Sequence, residues 1–108
     1  MSPRRGKRPP LFWSRRALAD LRCIRAYIGR DDEAAALRGT ERLMRAAERA
    51  RDLPLSGRMV PEFGREEIRE ILLKHYRIVY RVGEDRIDVL TVFESHRHLS
   101  DAREDEEK

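Results

Sequence analysis

Near the end of the chain His96, Arg97 and His98 stand side by side. A histidine titrates near neutrality and can pass a proton, and an arginine can hold charge that develops on a phosphate. With Arg58 or Arg77, this trio has the parts of a metal-independent ribonuclease site. The same residues also suit a plainer role, with Arg97 gripping a partner and the histidines standing in solvent. Glu94, His96 and His98 make only a sparse metal motif with no further ligand beside them, and the sequence has no CxxC, HExxH or glycine-rich phosphate loop. Neither a metal nor a cofactor is expected. A second basic set, Arg58, Arg65, Arg69, Lys74, Arg77, Arg81 and Arg86, is interleaved with Glu62, Glu66, Glu67 and Glu70. Arg65, Lys74 and Arg86 read as solvated, self-paired surface. Arg77 and Arg81 share one strand face, where two guanidiniums can hold phosphate or carboxylate in bidentate fashion.

These groups need a sheet to position them. Tyr76, Ile78, Tyr80 and Val82 alternate with Arg77, Val79 and Arg81, and the alternation resumes from Ile87 to Phe93. Period two with aromatic and β-branched residues is strand chemistry. A turn at Glu84-Asp85, eased by Gly83, sets Arg81 opposite Asp88 and Val82 opposite Ile87, pairing charge with charge and apolar with apolar. That register assigns Arg81 to scaffolding and leaves Arg77 the freer group. Glu67–Leu73 contains helix formers, but two strands need a further neighbour to be stable, so it is read as strand. Upstream, Leu11–Trp13 is a short strand. Ser14 then caps a helix over 14–28 whose apolar stripe is Ala17, Leu21, Ile24 and Ile28, ended by Gly29 in a left-handed conformation. Asp31 or Asp32 caps a second helix over 33–52, with Ala36, Thr40, Leu43, Ala47 and Ala50 facing inward. Its small residues and Gly39 let the two helices pack closely as an antiparallel hairpin. Arg58–Gly64 reads as a loop. The class expected is α+β: an N-terminal strand and a helical hairpin on a twisted antiparallel sheet of three to four strands.

The 108 residues suit one domain with a modest core, 40% of them hydrophobic. Charged residues make up 41%, and the net charge of +4 suits a polyanion or an acidic protein partner. The charge is uneven. Residues 1–10 carry four bases and no acid and read as a disordered basic arm, able to touch nucleic acid or a partner or simply to aid solubility. Residues 100–108 form an acidic tail, with 11–99 as the domain between. The lone Cys23 allows no internal disulfide. No apolar run approaches the roughly 20 residues of a membrane span, and no apolar segment follows the basic start as in a secretory signal. A cytoplasmic protein without membrane contact is the expectation.

Several blocks together resemble the RelE/ParE toxin superfamily, over about residues 11–99. They are Ala17-x-x-Asp20-Leu21, Leu53-Pro54-x-x-Gly57-Arg58, Ile68-Arg69-Glu70, Tyr76-Arg77-Ile78-Val79-Tyr80-Arg81-Val82 and the closing Arg97. The likeness is greatest to the ParE, or plasmid-stabilisation, branch. It implies the toxin of a type II toxin–antitoxin pair in a hetero-oligomer with its antitoxin, reaching DNA only through that complex. The ParE branch implies growth inhibition by binding DNA gyrase, with Arg58, Arg69, Arg77 and Arg97 as the target-binding set. The RelE branch implies cleavage of mRNA on the ribosome, with His96, Arg97 and His98 as the catalytic set. A third reading is an inactive relative that only binds. Where ParE-like chains often carry His-Gly before the final arginine, this chain has Glu94 and Ser95.

Overall fold

Ser14 sits where a strand must become a helix. Its hydroxyl accepts from the Ala17 N–H at 3.0 Å, satisfying a free donor of the first turn, and donates to the Leu90 carbonyl at 2.9 Å. In the computed structural model, which describes residues 8–94, it separates β1 (Leu11–Trp13) from α1 (Arg15–Gly29). There follow α2 (Glu33–Glu48), 3₁₀ turns at Arg49–Arg51 and Pro54–Ser56, β2 (Arg58–Met59), β3 (Ile68–Leu73), β4 (Tyr76–Val82) and β5 (Ile87–Glu94). Asp32, in extended backbone, caps α2 through the Ala35 N–H at 3.1 Å.

The α+β class holds, with one correction. The sheet has five strands rather than three to four, in the order β1-β5-β4-β3-β2, and it is mixed: β1 runs parallel to β5 and every other pair is antiparallel. β2 lies inside the stretch read as a loop, because two residues are too few to show an alternation. Gly29 is also not left-handed: among the described residues only Gly64 and Lys74 have positive φ. The first helix ends instead in a tight turn that carries the chain into the Asp32 cap.

The expected hairpin register is present, with Arg81 opposite Asp88 and Val82 opposite Ile87, closed by the Gly83 N–H on the Arg86 carbonyl at 2.9 Å. Between Val79 and Tyr80 the pairing with β5 slips by one residue, leaving Leu90 as a bulge. Ser14 takes the Leu90 carbonyl. Just beyond, the Asp20 carboxylate accepts from the Thr91 hydroxyl at 2.6 Å and the Val92 N–H at 3.0 Å. An acid on α1 thereby satisfies the edge of β5 where β1 has ended.

The helices cover one face of the sheet. Ala17, Leu21, Leu43, Ala46 and Ala47 pack on Ile78, Val89 and Val92, with Tyr80, Ile87 and Ala50 alongside. Tyr80 donates to the Pro54 carbonyl at 2.7 Å, and its ring end lies so close to Gly57 that a Cβ there would collide with the hydroxyl. The far face has a smaller apolar cluster of Val60, Ile68 and Val79, flanked by Leu90 and Phe93. It is closed by the chain between β2 and β3 folding back over it.

Candidate functional site

Strand parity places Glu70, Arg77 and Arg81 on the far face, with Arg58 beside them on β2. Glu70 is buried and is the hub. It accepts from Arg58 Nε at 2.6 Å and from Arg77 Nε at 2.8 Å. Arg77 also donates through both terminal nitrogens to Glu62, at 3.2 and 3.1 Å, and its guanidinium stands 5.1 Å from the centre of the Phe93 ring. Two arginines and two glutamates thus neutralise each other in one partly dry cluster. Burial opposes the charge on Arg77, but its bonds to Glu62 and Glu70 outweigh that and hold the guanidinium above its ordinary pKa.

At the open end of the hairpin, Asp88 accepts from Arg81 at 3.2 Å and Arg86 at 2.7 Å. Burial would raise its pKa. The bonds from Arg86 and then Arg81 overcome this and hold the carboxyl below its usual range. Arg86 stacks 3.9 Å from the centre of the Phe12 ring.

The expectation that Arg77 is the freer arginine is reversed. Its side chain is 6% exposed, against 52% for Arg81. Arg77 lies mid-sheet, opposite Leu72 and Phe93, under the segment that carries Glu62. Arg81 does pair with Asp88 as expected, but at the hairpin end, where no described segment covers it. Arg58 and Arg77 do come together, through Glu70. Arg69 points to the opposite face and donates to the carbonyls of Glu66, Leu55 and Gly57 at 2.6, 3.3 and 3.2 Å, clamping the chain around β2. His96, Arg97 and His98 lie outside the described residues.

Sequence reasoning missed Glu70 and Glu62. The signal for Glu70 was its parity: it shares a face with Ile68 and Leu72, so an acid there must be paired or exposed. Glu62 gave no signal, because its partner is 15 residues away through a loop. Along the outer edge of β3 lies a groove of about 330 Å³ lined by Arg49, Ser56, Gly57, Arg58, Glu70, Ile71 and Leu72. β2 pairs only with Arg69 and Glu70, so among the described residues Ile71–Leu73 has no strand on that side. No group of three His, Cys, Asp or Glu among the described residues is arranged to hold a metal. No described helix is long and apolar enough to cross a membrane.

A solved chain described as the chromosomal ParDE TA system from P. aeruginosa matches this fold with a TM-score of 0.67 at 21% identity, covering 80% of this chain and 95% of that one. "Putative toxin Y4kP" of Sinorhizobium fredii (strain NBRC 101917 / NGR234) is 38% identical over 93 residues, which are 83% of this chain and 92% of that protein. The family model for the ParE toxin of the type II toxin-antitoxin system parDE matches residues 11–99. The chain belongs to the ParE toxin family.

Proposed function

We propose that this chain is the toxin of a type II pair that acts by binding, with DNA gyrase as its target and a cognate antitoxin as its neutralising partner. The observation that carries this reading is the ParE family match across residues 11–99. The far face supports action by binding over phosphate chemistry. For Arg77 to receive a phosphate it would have to leave Glu62 and Glu70, leaving the buried Glu70 carboxylate with only the more exposed Arg58. A ribosome-dependent ribonuclease would therefore have to rely on His96, Arg97 and His98. Within the target-binding set, Arg58 and Arg97 are assigned to direct contact. Arg69 and Arg77 are assigned to holding the surface in shape. The edge of β3 that carries no strand among the described residues, with Arg58 beside it, suits an acidic antitoxin segment added as a strand.

The test is a supercoiling assay with purified gyrase. Inhibition or trapped cleavage complexes that disappear when the antitoxin is added are expected. Absence of any effect at saturating toxin, together with codon-linked mRNA cuts in a translating extract, would replace gyrase with the ribosome.

A further inference from the structure

The arginines of the helical hairpin are arranged unlike those of the sheet. Arg38, Arg42 and Arg45 follow at i, i+4 and i+7, so they share one face of α2, and Arg49 continues the run on the 3₁₀ turn, about 16 Å along from Arg38. Arg15, Arg22 and Arg25 share a face of α1. All seven are exposed. The packing fixes where these faces look. Asp20 turns toward β5, whereas Gly29 faces Ala36 and Gly39 faces Ile28, so the helices meet along those small residues. Helical periodicity then sets Arg15, Arg22, Arg25, Arg38, Arg42 and Arg45 on the solvent side of the line where α1 and α2 meet, leaning toward one another, while Arg49, on the 3₁₀ turn at the end of α2, borders the groove beside β3.

Among the described residues, none of the seven has an acid within ion-pair distance. Several hairpin acids are used elsewhere: Asp20 holds β5, Asp32 caps α2, and Glu48 binds Arg51. Arg8 is tied to the end of α2, to Asp52 at 2.7 Å and to the Glu48 carbonyl at 3.0 Å.

We propose that this face binds double-stranded DNA through its phosphate backbone, without reading sequence. Duplex DNA carries one charge per roughly 1.7 Å, so about nine phosphates lie along 16 Å, a density close to that of the two rows. The cations are all arginine, whose planar fork suits phosphate. Among the described residues no Phe, Tyr or Trp falls between the rows to stack an unpaired base, which favours a duplex over a single strand. The chain contains no Asn and no Gln, the residues that read adenine edges, and an arginine fork serves the phosphate backbone as readily as a guanine edge. This contact is direct, in contrast to the expectation that DNA is reached only through the antitoxin complex. It does not depend on gyrase being the target.

The test is fluorescence anisotropy of the full chain with a labelled random duplex, between about 50 and 200 mM salt. Affinity should fall steeply with salt, with a log–log slope of roughly −0.9 per phosphate contacted. The Arg38→Gln, Arg42→Gln, Arg45→Gln, Arg49→Gln variant should bind at least about 100-fold more weakly and lose about 3.6 from the slope. Arg15→Gln, Arg22→Gln, Arg25→Gln should act in the same direction from the other helix. All seven side chains are exposed, so both variants should stay folded and melt no lower than the parent. An Arg81→Gln, Arg86→Gln variant of the far face should stay within about twofold of it. The proposal is overturned by any of three results: no binding at the lowest salt, equal loss in the far-face variant, or polyglutamate or single-stranded RNA competing better than duplex DNA.

Discussion

Two arginine-rich regions lie on opposite sides of one small sheet, and they solve the same electrostatic problem in opposite ways. On the far face Arg58, Arg77, Arg81 and Arg86 all bond to Glu70, Glu62 or Asp88. On the hairpin, seven arginines have no acid in ion-pair range among the described residues. The difference follows burial. A sheet face without helices above it can bury charge only if that charge is paired, since an isolated buried ion is costly. A helix surface facing water has no such requirement and can carry unbalanced charge at small cost. Pairing on the far face therefore speaks about folding, while unpaired charge on the hairpin is available to a partner.

The largest effect should come from breaking the paired side. Arg77→Ala leaves Glu70 buried with only the more exposed Arg58, and should cost about 3–5 kcal/mol of stability in chemical denaturation. Replacing both partners, Arg77→Met with Glu70→Leu, should recover most of that loss, because apolar groups of similar size remove the stranded charge. A loss from Arg77→Ala of less than about 1 kcal/mol would put this cluster with ordinary surface pairs and dissolve the contrast.

How far the sequence reveals this contrast depends on how far apart the partners are. The hairpin register was legible because Arg81 and Asp88 are joined by a short turn and their charges match. The helical pair was legible from its caps and stripe, since helix periodicity is local. The Arg77 cluster was not. Its second partner, Glu62, reaches it only because the chain after β2 folds back under Val60, and alternation within β4 says nothing about what covers that strand. β1 could be seen as a strand, but its parallel partner lies more than 70 residues away. That the hairpin arginines lie off the apolar stripes follows from helical periodicity alone. That they face one another across the line between the helices needed the packing of Gly29, Gly39 and Asp20.

Acid should distinguish the faces next. The folded-state pKa of Asp88 is depressed, so its contribution is fully present above the unfolded aspartate value of about 4 and is lost as pH falls through the lower folded value. Stability should thus decline below about pH 4, and Asp88→Asn should flatten that decline while lowering stability at neutral pH. The raised pKa of Arg77 works at the other end. Its contribution is present throughout the ordinary range and is lost only at extreme alkaline pH. An acid titration unchanged by Asp88→Asn would show that the Arg81 and Arg86 bonds are surface pairs of no consequence.

The smallest effect should have the opposite sign. Arg42 has Arg38 four residues before it and Arg45 three after, like charges at spacings that repel by a few tenths of a kcal/mol each. Arg42→Glu turns both contacts attractive and should stabilise the free protein by about 0.5–1 kcal/mol at low salt. Because these side chains are exposed, raising the salt to about 1 M, where the screening length falls to about 3 Å, should erase the gain. The same substitution should weaken duplex binding. A protein made more stable and less able to bind by one change is what unbalanced charge kept for a ligand requires. If Arg42→Glu instead destabilised the protein at every salt concentration, the arginine would be making a structural contact, and the hairpin would belong with the far face.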